Sequence, residues 1–282
     1  LPGAGPLDAS GDMDQRLSHA RPEEVGMDPA VLERLDALLE RATTDGAIPG
    51  AALAVGRRGR LVRLRGYGRR AHGPGAVPGT DSSRDDLASL TEVVATTTVL
   101  MILDDEGRID LDAPLSRYLL EWGGTPAKDR ITLRHLLTHT AGLPPFLPLW
   151  KELRGKEAYL ERIVSLDLDH APGTRTVYSD FGPILLAHVV ERVSGVPFDR
   201  FVHERILQPL GLDETGFNPL DWPLGQDAAE AIKAAGTPIL ARIAPTEVDT
   251  VLRMTHVHGV VHDENAWAMG GVAGHAGLFS SA

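Results

Sequence analysis

One stretch of this 282-residue chain reads plainly as paired β-strand, and it limits what the chain can fold into. In "GAALAVGRRGRLVRLRGYG", residues 50–68, the apolar run Ala52–Val55 is followed by a partly alternating segment around Leu61, Arg63 and Arg65. Arg58-Gly59 between them suits a tight hairpin turn. A two-stranded hairpin is marginal in water by itself, so a sheet built on it needs strands from elsewhere in the chain. The segment before it is a well-marked helix. Asp28 can cap it, Pro29 suits its first position, Val31, Leu32, Leu35, Leu38 and Leu39 form one apolar stripe, and Gly46 can end it.

After a Gly/Pro/Ser/Asp-rich loop over 71–85 the pattern turns helical, at about 89–105, 132–138, 155–165, 181–194 and 198–208. Pro114, Gly142, Pro172, Gly195 and Pro209 punctuate it. The stretch "GLDETGFNPLDWPLGQDAAEAIKAAG" reads as a loop and then a short helix, and residues 245–282 show no clear periodicity. The expected class is α+β, an antiparallel sheet flanked by helices beside a mainly helical domain. The expected organisation is a flexible leader over 1–20, the N-terminal part of the sheet domain over 21–80 and the helical domain over 81–245. A loop region over 246–282 then leads back toward the sheet.

Composition removes several function classes. A net charge of −11 argues against nucleic acid or an anionic membrane surface as the main partner. No apolar run is long enough to span a bilayer. With no cysteine there is no disulfide, thiolate metal site or thiol nucleophile, and no indication of compartment. Bacterial cytoplasm and cell envelope both fit. There is no phosphate-cradling Walker loop and no G-x-S-x-G elbow.

The candidate chemistry begins at "SLTEVV". A serine at a helix start lies at the positive end of the helix dipole, where backbone N–H groups can stabilise an oxyanion, and residue 92 lies one turn on along the same face. Taken alone, Ser89 and Glu92 fit a capping box, S-x-x-E, better than a nucleophile and its partner. "TVYSDFG" places Tyr178 and Asp180 just before an apolar helix. The pair presents either a phenol and a carboxylate to a site, or a packed ring and a helix cap. His256, His258 and His262 with Asp263 form a histidine-rich run whose spacing departs from H-x-H-x-D-H. A loop beside a site, with His262, Asp263, Glu264 and Asn265 touching substrate, is the simpler reading. A metallohydrolase using His256, His258 and His262 is the alternative. His139 in "LLTHTAGLPP" reads as a structural residue fixing its loop.

Taken in order, "SLTE", "LLTHTAGLPP", "YSD" opening a helix and "PLGLDETGF" resemble the serine β-lactamase and penicillin-binding-protein-like hydrolases. Within that group the resemblance is to the class C β-lactamase-related and family VIII esterase branch. The opening helix and hairpin are similar too, and "VHDENAWAMGGVAGHAGLFSSA" is similar to a D-Ala-D-Ala carboxypeptidase-like subgroup. The resemblance implies an acyl-enzyme hydrolase of esters, D-Ala-D-Ala-type peptides or β-lactams, with no metal or organic cofactor. It implies Ser89 as nucleophile, residue 92 as first general base, Tyr178 as proton relay and Asp180 at the family's Asn or Asp position. It also places His275 near the substrate, although "GHAG" is not the family's third motif, whose strand comes later.

Two features depart from the family's pattern. Glu92 stands where the family has lysine and reverses the local charge, which implies impaired acylation or a catalytically inactive homologue that binds a peptidoglycan-like or ester ligand. The chain also stops where the family's last strands and closing helix would follow. The expectation is an open sheet edge and an exposed apolar hairpin face, covered by a missing segment, a partner chain or self-association.

Overall fold

The structure is a computed structural model that describes residues 17–73, 75–219 and 239–282. Most of the expected leader, and most of the stretch in which a short helix was expected after Gly211, lie outside the described residues.

The opening helix and hairpin form as the sequence predicts. Asp28 accepts the Ala30 N–H and starts helix α1, Pro29–Thr44. Strands β2, Gly50–Arg57, and β3, Arg60–Gly68, pair antiparallel, and the short β1, Ser18–His19, runs parallel to β3 on its other side. Arg58 and Gly59 both adopt positive φ, the backbone twist a two-residue hairpin turn requires. The face of β2 and β3 is tied to α1 through Asp36, which accepts a hydrogen bond from the Tyr67 hydroxyl and pairs with Arg63 at 3.2 Å. Burial and the Asp36 carboxylate push the Tyr67 phenol up to about 12. Apart from Tyr67 the hairpin side chains are half-buried or exposed, and none joins the main core. Among the described residues no strand pairs with the outer side of β2.

The core lies in the helical part. Helix α2, Thr98–Asp105, continues a π-helical turn over Glu92–Thr97 in which the Thr98 hydroxyl bonds back to the Val93 carbonyl. The predicted helix over 89–105 is therefore a π-turn and an α-helix in series. Helices α3, Leu133–Leu137, α4, Lys156–Ser165, α5, Phe181–Ser194, and α6, Phe198–Val202, complete the set, and α6 runs into a second π-turn over His203–Leu207. Helix α5 is buried all the way round from Phe181 to Val190 and packs on α3, α6 and the Glu92–Thr97 turn. A helix apolar on every side belongs at the centre of a core. Among the described residues no helix is long and apolar enough to cross a membrane.

The expected loop over 246–282 is more ordered than its sequence suggests. It holds a hairpin of β6, Glu247–Asp249, and β7, Thr255–Val257, a short helix α7, Glu264–Ala268, and strand β8, Leu278–Ser280. Strands of three residues are too short for alternation to register. β8 pairs antiparallel with β4, Asp85–Asp86, and with β5, Gly216–Phe217. Its Leu278 N–H donates to Thr91 Oγ1 at 3.2 Å and its carbonyl accepts the Leu87 N–H at 2.9 Å, so the end of the chain braces the segment that carries Ser89.

Gly274 is seated against α5, where a Cβ would lie 1.9 Å from the Pro183 carbonyl oxygen. Its own carbonyl accepts the Thr96 hydroxyl at 2.6 Å. Gly274→Ala is expected to destabilise the protein by about 1–3 kcal/mol, because neither backbone can yield cheaply, measured as a lowered urea midpoint at unchanged slope.

Candidate active site

Ser89 is set by a strained turn. Ala88 before it has φ +47°, uncommon for a residue with a Cβ, and its N–H donates to Asp86 Oδ1 at 2.8 Å. Ser89 is exposed at the mouth of the helix, and among the described residues its backbone N–H is given no acceptor. Leu90 and Val93, 58% and 61% exposed, form an apolar lip beside it.

The capping box does not form. The Glu92 N–H donates to the Ser89 carbonyl at 3.0 Å, as in an ordinary turn, but the Glu92 side chain points away from the helix start. Its Oε1 accepts the Tyr178 hydroxyl, and its Oε2 lies 3.4 Å from His139 Nε2. The tertiary partners hold the carboxylate more strongly than the first turn does. Burial and the Glu92 carboxylate raise the Tyr178 phenol well above its ordinary value, while the neighbouring Ser89 hydroxyl works against that rise. Ser89, Tyr178 and Glu92 thus form one connected set. Tyr178 remains 49% exposed, so its ring is not simply packed.

Asp180 does not cap α5. Its side chain accepts no N–H from the first turn, and its own N–H donates to the Pro145 carbonyl at 3.2 Å. Its carboxyl is raised by burial, with Asp263 and Glu92 adding to the rise and His275 opposing it. Asp180, Asp263 and His275 bring ligand-type atoms within 4.8 Å of one another. His275 Nε2 lies 2.9 Å from Asp263 Oδ1, and the same oxygen accepts the Ala266 N–H that starts α7. His275 Nδ1 is buried with no partner. A metal-bound imidazole normally donates its second N–H to an acceptor, so the arrangement fits a buried carboxylate–imidazole pair better than a metal cage.

The substrate-proximal expectations divide. His275, 1% exposed, faces the interior, and Asn265 has no exposed surface. Asn265 accepts from the Trp150 N–H at 3.0 Å and the Tyr159 hydroxyl at 2.9 Å and donates to the Leu147 carbonyl at 3.0 Å, so it joins loops rather than meeting a substrate. Glu264 is half-buried in the first turn of α7. The His262 N–H donates to Asp86 Oδ2 at 2.7 Å, while its ring lies 3.3 Å from Glu247 on the β6–β7 hairpin. His258 Nε2 contacts the Ile243 carbonyl at 2.8 Å, and the His256 ring centroid is 6.1 Å from that of His258. Among the described residues, the one ligand-like group contains none of His256, His258 and His262. The site residue that sequence reasoning missed is His139. Its ring centroid lies 4.5 Å from that of Tyr178, and the motif "LLTHTAGLPP" carries no local sign of this contact.

Ser89 at the helix mouth thus neighbours Tyr178, which is itself hydrogen-bonded to Glu92 one helical turn on. The Beta-lactamase family profile matches residues 35–282, and the chain belongs to that family. A protein of Salmonella agona (strain SL483) described as "Putative D-alanyl-D-alanine carboxypeptidase" is 33% identical over 94% of this chain and 64% of its own length. The chain thus spans somewhat less than two thirds of that relative. The octameric penicillin-binding protein homologue from Pyrococcus abyssi has a TM-score of 0.66 at 22% identity, over 89% of this chain and 53% of its own. A class C beta-lactamase has a TM-score of 0.65 at 21% identity, over 90% and 62%. These likenesses establish the β-lactamase/transpeptidase-like α+β fold.

The Asp263–His275 pair gives stability a pH dependence. Burial alone would lower the His275 imidazole, but the bond and charge of Asp263 outweigh it and raise it. Burial alone would raise Asp263, but His275 outweighs it and lowers it. The His275 contribution is complete below the ordinary imidazole value of 6.5 and is lost as pH climbs through the raised value. The Asp263 contribution is complete above the ordinary carboxylate value of 3.8 and is lost as pH falls through the lowered value. Asp263→Asn is expected to cost about 3–5 kcal/mol between about pH 5 and 6. The difference from the parent protein should shrink toward either extreme, as read by denaturant melts across pH.

Proposed function

We propose that this chain carries the nucleophile of a serine hydrolase that works through an acyl-enzyme on esters, D-Ala-D-Ala-type peptides or β-lactams. The observation that carries the reading is the connected set of Ser89, Tyr178 and Glu92 at the start of the α2 segment. In the acylation step Ser89 Oγ bonds to the acyl carbon as its proton passes to Tyr178 Oη, and the Tyr178 proton passes to Glu92 Oε1. When the leaving group departs it takes a proton back along the same path. The Ser89 N–H at the helix mouth supplies one donor to the oxyanion. Asp180, at the family's Asn or Asp position, borders this path.

Glu92 makes the step slow. At an effective dielectric of about 20, a unit charge about 5 Å away changes an oxyanion's energy by about 3 kcal/mol. A lysine there would attract the oxyanion and a glutamate repels it, so the exchange is worth about twice that at most. The same feature favours the second reading, a homologue that binds an ester or peptidoglycan-like ligand and does not turn it over.

A fluorophosphonate probe separates the two. Labelling at Ser89, located by peptide mass, should be slow in this protein, at least about 100-fold faster in Glu92→Lys and absent in Ser89→Ala. Equal rates in parent and Glu92→Lys would remove the impairment. No labelling in either would leave the serine-hydrolase reading without its main support.

A further inference from the structure

We propose that His139 is a positioning residue: as the neutral Nε2–H imidazole it holds the Glu92 carboxylate as the proton-accepting end of the Ser89–Tyr178–Glu92 path. The proposal rests on the serine-hydrolase reading for its catalytic consequence, but its geometry stands apart from that reading.

The argument starts with the ring's other nitrogen. His139 Nδ1 lies 3.3 Å from the Ser179 backbone N–H, in a hydrogen bond that only the N–H can donate. Nδ1 must then present its lone pair, and the proton of the neutral ring resides on Nε2. Nε2 lies 3.4 Å from Glu92 Oε2, a close polar contact without hydrogen-bond geometry, within a largely enclosed pair whose side chains are 18% and 11% exposed. Glu92 Oε1 takes the Tyr178 hydroxyl. Oε1 is therefore held by a hydrogen bond and Oε2 lies beside the imidazole, and the two contacts together favour one direction for the carboxylate. A second proton on the ring would turn Nδ1 into a donor facing the Ser179 N–H and would disturb the segment that carries Tyr178 and Asp180.

The backbone shows that the placement is held in position. His139 adopts φ +52°, a conformation most side chains avoid. It is kept there by its N–H donating to the Leu136 carbonyl at 3.2 Å and its carbonyl accepting the Val177 N–H at 2.9 Å. The Thr138 and Thr140 hydroxyls, 2.9 Å apart, flank it. The turn after α3 thus bonds directly to the strand-like segment before α5, and the ring lies against Tyr178 between them.

The groups facing the ring are Glu92 from the π-turn and Tyr178 and the Ser179 N–H from the segment before α5, with Asp180 beyond them. His139 is the polar neighbour beside Oε2 that lets a buried glutamate occupy the family's lysine position.

The test joins spectroscopy with rates. In ¹⁵N-histidine NMR of the whole protein, His139 should show the Nε2–H tautomer, and its Nε2 resonance should move in Glu92→Gln. His139→Asn tolerates the positive φ and is too short to reach Glu92. It should keep a cooperative melt while slowing Ser89 labelling about tenfold, and the double variant with Glu92→Gln should label no more slowly than Glu92→Gln alone. An Nδ1–H tautomer, an unmoved Nε2 resonance, or rate effects that multiply would overturn the proposal. If no variant labels at all, the serine-hydrolase reading fails, and the NMR result still decides the role of His139.

Discussion

The structure is organised by the complete burial of one helix. From Phe181 to Val190, α5 offers no face to water, so the surrounding elements must cover it: α3, α6, the π-turn over Glu92–Thr97, and the Gly274 backbone against Pro183. That enclosure fixes the segment entering α5, which carries Tyr178 and Asp180, against the segment starting α2, which carries Ser89 and Glu92. Hydrophobic burial is non-directional, yet here it sets the position of directional chemistry. Once α5 is enclosed, the phenol of Tyr178 can reach only a few groups, and Glu92 is one of them.

The site then becomes a balance of charges with few cations. Asp263 and Glu92 add to the cost of ionising Asp180, and the His275 imidazole opposes them. Burial raises the charged form's cost further, so each carboxylate depends on its donors. Asp263 has the His275 imidazole and an N–H of α7, and Glu92 has Tyr178 and His139. Asp180 has no such pair, and burial raises it. Asp263 and Asp180 shift in opposite directions because their hydrogen-bond donors differ.

Much of this was legible in the sequence where local chemistry decides. Asp28, Pro29 and the Leu stripe gave α1, Arg58-Gly59 gave the hairpin turn, and the order of motifs gave the family. Illegible were the elements that exist only through long-range partners. β8 is a three-residue strand formed by pairing with β4 and β5, and its Leu278 bonds to Thr91 far away in sequence. Asn265 looked like a polar group available to a substrate. It is held by Trp150, Tyr159 and Leu147, whose approach no local pattern announces. His139 looked like a loop residue for the same reason, since its partners come from the π-turn before α2 and the segment before α5.

The serine at the helix mouth, the tyrosine one residue before Ser179 and the glutamate in a lysine's place were determined by the sequence alone, because residue identity fixes which charges and protons are available. Which way those groups point was decided only by the tertiary structure. The S-x-x-E pattern of Ser89 and Glu92 permits a capping box, worth about 1 kcal/mol, but that bond competes with any partner brought in by the core. Burying α5 brings in two, Tyr178 and His139, and the carboxylate turns to them.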